Sequence, residues 1–183
     1  KLLYGLDKSK GAIRDARTAI LVEGQMDFIM SWQDGVKNLV ATSGTALTAD
    51  HLKSLKRIAE NLILSFDQDE AGRMATERTI DLAAAEDLSV RVINWSGGAK
   101  PGSESSTAGL SLAAKNGRTS TSWKDPADIA LATPGMLKTF IEQAQPAMEY
   151  YLEKYRVLGI NPSAGQRVVS ISEHKKNIRL ALG

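Results

Sequence analysis

Six carboxylates fall in three short clusters along this chain. Glu23 and Asp27 lie in L-V-E-G-Q-M-D, Asp67 and Asp69 in L-S-F-D-Q-D-E-A-G-R, and Asp125 and Asp128 in K-D-P-A-D. Two acids one residue apart on extended backbone share one side of it. Held that close, like charges repel unless something positive stands between them. Oxygen donors of this kind suit a hard divalent cation such as Mg²⁺. A local account competes for the central pair. Asp is a preferred N-cap, so Asp69 would cap the following helix and Asp67 would be a solvated loop acid. From that stretch alone the two accounts carry equal weight.

The elements that must position these acids decide between them. Leu62, Ile63, Leu64 and Phe66 read as a buried strand that runs out into Asp67-Gln68-Asp69. Glu70 to Asp87 then reads as a helix, with Ala71, Met74, Ala75, Ile80, Leu82 and Ala83 turned inward. Upstream, Thr18 to Val22 is a short β-prone run ending at Glu23, and Asp27 to Trp32 is a helix stopped by Gly35. Asn38 to Thr42 is the second strand. A small-residue loop, Ser43-Gly44-Thr45-Ala46, leads to a helix capped by Thr48. That helix carries His51, expected at the surface or its boundary. Ser89 to Trp95 is the fourth strand. Strands alternating with helices over links this short imply a parallel three-layer α/β sheet. In such sheets ligands bind beyond the carboxyl ends of the strands, where Glu23 and the Asp67/Asp69 pair both fall.

The flanks are less regular. Residues 1–17 form a leading segment in which Asp7 is expected to cap a short helix bearing Lys8, Lys10, Arg14 and Arg17. The stretch 96–123 is rich in Gly, Ser and Thr and long for an ordinary loop, so it reads as a mobile insertion. It ends where Pro126, at a first helical position, makes Asp125 an N-cap. The α/β domain is expected over 18–133 and a helical segment over 134–183. Gly135 to Tyr155 is one helical run that Pro146 should kink or split, and Ser170 to Leu182 is a further run.

Composition removes several function classes. The 183 residues are 43% hydrophobic, enough for a real core, and contain no cysteine. Disulfides, thiolate zinc sites and cysteine nucleophiles are therefore out, which fits a cytoplasmic setting. No apolar run approaches a membrane span. A formal charge of +2 with dispersed Lys and Arg gives no electrostatic argument for nucleic acid. A start at Lys1 is expected of a piece of a longer protein.

Glu-Gly-x-x-Asp followed by Asp-x-Asp after an apolar strand resembles the Toprim motif pair. Longer matches narrow the likeness. Y-G-L-D at Tyr4, L-V-E-G-Q-M-D at Leu21, A-T-S-G-T-A-L-T-A-D-H at Ala41, L-S-F-D-Q-D-E-A-G-R at Leu64 and K-D-P-A-D at Lys124 come in the order found in bacterial DnaG-type primases. The likeness covers about residues 1–155 apart from the insertion. It implies a Rossmann-like sheet of about four strands flanked by helices. It also implies metal-dependent synthesis of short RNA primers on a single-stranded DNA template from ribonucleoside triphosphates. Glu23, Asp67 and Asp69 would carry the chemistry. Glu23, Asp27, Asp67, Asp69, Asp125 and Asp128 would form the metal set for Mg²⁺ or Mn²⁺, with Glu23 either a ligand or the acceptor of the hydroxyl proton. The replicative helicase, the zinc module and the template-binding basic region would belong to parts of the protein outside this chain. Three positions depart from the pattern. Gln25 replaces an aromatic residue, Gln68 replaces a glycine, and Asp128 comes one residue late.

The same acids would serve a Toprim nuclease or topoisomerase, although a topoisomerase needs a nucleophilic tyrosine that is not identifiable here. A recombination-mediator scaffold would bind DNA without catalysis and would lack part of the acidic set. A phospho-receiver domain would want a paired acid after the first strand and a lysine after a fifth, and neither is found.

Overall fold

Four apolar, β-prone runs form the parallel strands of one sheet: β1 Thr18–Val22, β2 Leu39–Ala41, β3 Asn61–Ser65 and β4 Ser89–Val92. A computed structural model describes residues 2–95, 123 and 125–157 of the chain. The strand order is β2-β1-β3-β4-β5, where β5 is Gln145–Pro146, antiparallel to β4. Proline donates no ladder hydrogen bond, so an edge is where such a strand is tolerated. Ala19 to Val22 of β1 and Leu62 to Leu64 of β3 are buried, as central strands covered on both faces require.

The helices in chain order are α1 Leu6–Ala16, α2 Gln25–Gln33, α3 Ala49–Lys56, α4 Glu70–Ala84, α5 Pro126–Ala132, α6 Met136–Glu142 and α7 Ala147–Val157. The first compact unit runs Lys1–Pro146 and the second Ala147–Gly183. Ile20, Val22, Phe28, Ile63, Trp95, Ile129 and Phe140 form one buried cluster in the first unit, with Trp123 packed against it. Each such side chain contributes about 1.5–3 kcal/mol by leaving water. In the second unit α7 packs the Tyr150 and Tyr151 rings edge to face at 5.7 Å and exposes Met148 and Leu152. Among the described residues no helix is long and apolar enough to cross a membrane.

Several local expectations are corrected. Gly5, at φ +77°, is the N-cap of α1, and Asp7 lies in the first turn. His51 is buried, 3% exposed, on the face of α3 that also buries Leu52 and Leu55. On α4, Ala71 and Met74 point outward and Gly72, Thr76 and Thr79 pack inward. The inward register follows the close approach of Gly72 to the preceding turn, which apolar spacing alone does not reveal. Asp87 lies beyond α4 at φ 54°, and β4 ends at Val92. The run from Gly135 does split before Pro146, but into α6, β5 and α7. The Gly/Ser/Thr-rich stretch 96–122 and the run Ser170 to Leu182 lie outside the described residues.

Candidate active site

The strand order reverses direction between β1 and β3, since β2 lies on one side of β1 and β3 on the other. The crevice at such a switch point opens at the carboxyl ends of those strands. Val22 stands opposite Ser65 in the ladder, so Glu23 and Asp67 leave the sheet side by side. Oε1 of Glu23 accepts the backbone N–H of Asp67 at 3.2 Å. The Glu23 carbonyl accepts the Ser43 N–H at 2.9 Å and the Thr42 hydroxyl at 3.2 Å. Glu23 is thereby tied to the strand ends on both sides of β1.

The turn carrying the central pair is held from three directions. Asp69 is the N-cap of α4, its Oδ1 accepting the Gly72 N–H at 2.8 Å. The guanidinium of Arg73 donates to the Gln68 carbonyl at 2.6 Å. Buried Trp95 donates its indole N–H to the Phe66 carbonyl at 2.8 Å, just before Asp67. Gly72 lies so close beneath that a Cβ there would stand 2.2 Å from the Asp67 carbonyl oxygen. Only glycine allows that approach. Trp95 and Gly72 were not singled out as site residues in the sequence. The G of D-E-A-G-R was the one available signal.

The third cluster reaches the site through helix packing. Asp125 caps α5, with Oδ1 accepting the Asp128 N–H at 2.8 Å and Pro126 following it. Asp128 sits in the first turn of α5. Oδ2 of Asp27 accepts the Gly24 N–H at 2.9 Å, and the Asp27 carboxylate also accepts the backbone N–H of Ala127. At the other end of α2, Asp34 accepts the Gly135 N–H. Arg78 is exposed on α4.

Electrostatics gathers five of the six acids. The Asp67 carboxyl is pushed up from 3.8 to about 6, first by burial and then by the charges of Glu23, Asp27, Asp125 and Asp69. Burial also raises Asp27, against the Gly24 hydrogen bond, with Asp125 and Glu23 adding to the rise. Among the described residues no three such side chains stand close enough to enclose a metal ion unaided. The donor set still suits Mg²⁺ or Mn²⁺. It is all carboxylate, and its mutual repulsion is what a cation relieves. Mg²⁺ in particular is held by one or two carboxylates with substrate phosphates and water completing the shell.

A parallel α/β sheet with acids at the carboxyl ends of β1 and β3 and at the start of α5 defines a Toprim fold. Residues 20–102 match the Toprim-like family. The DNA primase of Halalkalibacterium halodurans is 45% identical over 92 residues, 50% of this chain and 15% of its own length. A DNA primase domain from Pseudomonas aeruginosa superposes with a TM-score of 0.65 at 28% identity, over 88% of this chain and 44% of that one. The RNA polymerase domain of Mycobacterium tuberculosis primase DnaG, in complex with double-stranded DNA, gives 0.57 at 26%, over 81% and 41%. The chain has the Toprim fold and, over about half of its length, is similar to bacterial DnaG-type primases. It spans 13% to 17% of the length of curated relatives that it matches.

Proposed function

We propose that the chain is the nucleotidyl-transfer centre of a primase, making short RNA primers on single-stranded DNA in the cytoplasm during replication. The observation that carries this is the raised Asp67 carboxyl at the switch-point crevice, surrounded by Glu23, Asp27, Asp125 and Asp69. The primary structure adds support through the 45% identity to a DNA primase.

Asp67, Asp69 and Asp125 are the residues that would hold Mg²⁺ or Mn²⁺. A cation bound there neutralises phosphate charge and the charge developing on the attacking and leaving oxygens. The reaction joins a primer 3′-hydroxyl oxygen to the α-phosphorus of a ribonucleoside triphosphate and releases pyrophosphate. Glu23 lies where it would either complete the ligand set or accept the hydroxyl proton. Asp27, committed to Gly24 and Ala127, keeps α5 and hence Asp125 against α2. Asp128 anchors the Asp125 cap through its N–H. Proteins assist this chemistry mainly by positioning, so rigid backing by Trp95 and Gly72 serves the same end. The DNA template, ribonucleoside triphosphates and RNA primer are the substrates, and the replicative helicase is a partner through other parts of the protein.

The test is primer synthesis by the full-length protein on single-stranded template with Mn²⁺ and ribonucleotides. Asp67→Asn should abolish it while leaving the protein folded. Retained synthesis would reject the assignment. Metal-dependent cleavage of the template by the unaltered protein, with no primer made, would favour the nuclease reading.

A further inference from the structure

Next to the carboxylates lies an open cleft of about 500 Å³. Its lining is residues 2–5 from the segment leading into α1 and Asp7 in its first turn, with Thr42, Ser43 and Thr45 from the loop after β2. Thr42 and Ser43 are hydrogen-bonded to the Glu23 main-chain carbonyl, so the cleft adjoins the strand end that carries Glu23.

Exposed aromatic rings are common and usually need no explanation. Tyr4 differs in how firmly it is held. Its N–H donates to the Ala41 carbonyl at 2.9 Å, and its carbonyl accepts the Ala41 N–H at 3.1 Å. Gly5 turns at φ +77° so close over Phe28 that a Cβ would lie 2.1 Å from that ring. The Tyr4 and Phe28 rings meet edge to face at 5.1 Å and 87°. Phe28 in turn stacks on Trp32 at 5.5 Å, under the Lys37 ammonium 4.5 Å from the indole centroid. Tyr4 nevertheless stays 37% exposed. A rigid ring with a free surface costs little entropy to stack upon.

The polar lining selects the ligand. It contains a carboxylate and hydroxyls but no Lys or Arg. That set offers phosphate no cation, and its carboxylate and hydroxyl oxygens accept hydrogen bonds from sugar hydroxyls or a base amine. We infer that this cleft is a nucleoside subsite, in which Tyr4 stacks on a base and Asp7 and Thr42 meet its sugar while the attached phosphates lie toward the carboxylates. The inference rests on the nucleotidyl-transfer reading of the acidic site. The nucleoside comes either from an incoming ribonucleotide or from a single DNA strand, and the two are separable.

The test is calorimetric binding with Mg²⁺, using ATP, inorganic tripolyphosphate and a single-stranded octathymidylate as probes. Tyr4→Leu keeps an apolar contact for Phe28 but removes the ring, and Tyr4→Phe restores it. Tyr4→Leu should weaken ATP binding on the order of 10- to 100-fold, as loss of one stacked base does. Tyr4→Phe should match the unaltered chain, and tripolyphosphate should bind all three proteins alike. A loss confined to the oligonucleotide would assign the cleft to template. Unchanged ATP and oligonucleotide binding in Tyr4→Leu would overturn the subsite, as would an equal loss of tripolyphosphate binding. Failure of the unaltered chain to bind tripolyphosphate would instead overturn the parent reading and the subsite with it.

Discussion

Oε1 of Glu23 accepts the backbone N–H of Asp67 at 3.2 Å, joining the carboxyl ends of the two central strands. That bond gives Glu23 a structural duty separable from its charge. Glu23→Gln keeps an acceptor oxygen; Glu23→Ala does not. Both should reduce primer synthesis, by ~100-fold or more if the charge takes part in the chemistry. Only Glu23→Ala should also lose stability, by about 1 kcal/mol from the unpaired N–H. Urea unfolding of both variants beside a synthesis assay checks this, and equal stability would contradict it.

The two aspartates of the central turn should part company when replaced. Asp69 caps α4 and Asp67 caps nothing. Asp69→Ala should cost about 1 kcal/mol as a lost N-cap, and Asp69→Asn should restore most of it, since Asn caps as well as Asp. Asp67→Asn should keep or raise the melting temperature of the metal-free protein, because it removes a repelled charge. Thermal melts of the three variants suffice.

Asp67 also predicts a pH dependence. Its carboxyl titrates near 6 in the folded chain against 3.8 ordinarily, so the folded state binds more protons between those values. Stability from this group is therefore present at low pH, declines as pH rises from about 4 to about 6, and is gone above that. The melting temperature of Asp67→Asn relative to the unaltered protein should rise across this window. A constant difference from pH 4 to pH 7.5 would refute the shift.

Gly72→Ala should be disproportionately harmful. A methyl group there meets the Asp67 carbonyl at 2.2 Å, and backbone has to move. A cost of about 1–3 kcal/mol is expected for such overpacking, with lost Mn²⁺ affinity as the turn shifts. An exposed control on the same helix, Met74→Ala, should be within ~0.5 kcal/mol of neutral.

Much of this was legible in the sequence, and the parts that were not have physical reasons. Apolar runs ending at Glu23 and Asp67 revealed parallel strands because both faces of those strands are buried. Asp125 as an N-cap followed from Pro126. The competing accounts of Asp69 turned out not to compete, since it caps α4 and still contributes to the field on Asp67. The bond from Asp27 to Ala127 depends on α2 packing against α5, a contact about a hundred residues apart in the chain. β5 was invisible because two residues with a proline carry no strand signal. The staple from Trp95 to Phe66 was hidden because a buried Trp reads as core whether or not its N–H has a task.

One cation site built by acids from three separate segments is the proposed arrangement. It is tested most directly by Mn²⁺ titration followed by electron paramagnetic resonance, in the presence of ATP. The unaltered chain should bind Mn²⁺, and Asp67→Asn and Asp125→Asn should each weaken binding by ~10-fold or more while circular dichroism stays unchanged. Undiminished Mn²⁺ affinity in Asp125→Asn would contradict the single site and leave the third cluster a helix cap alone.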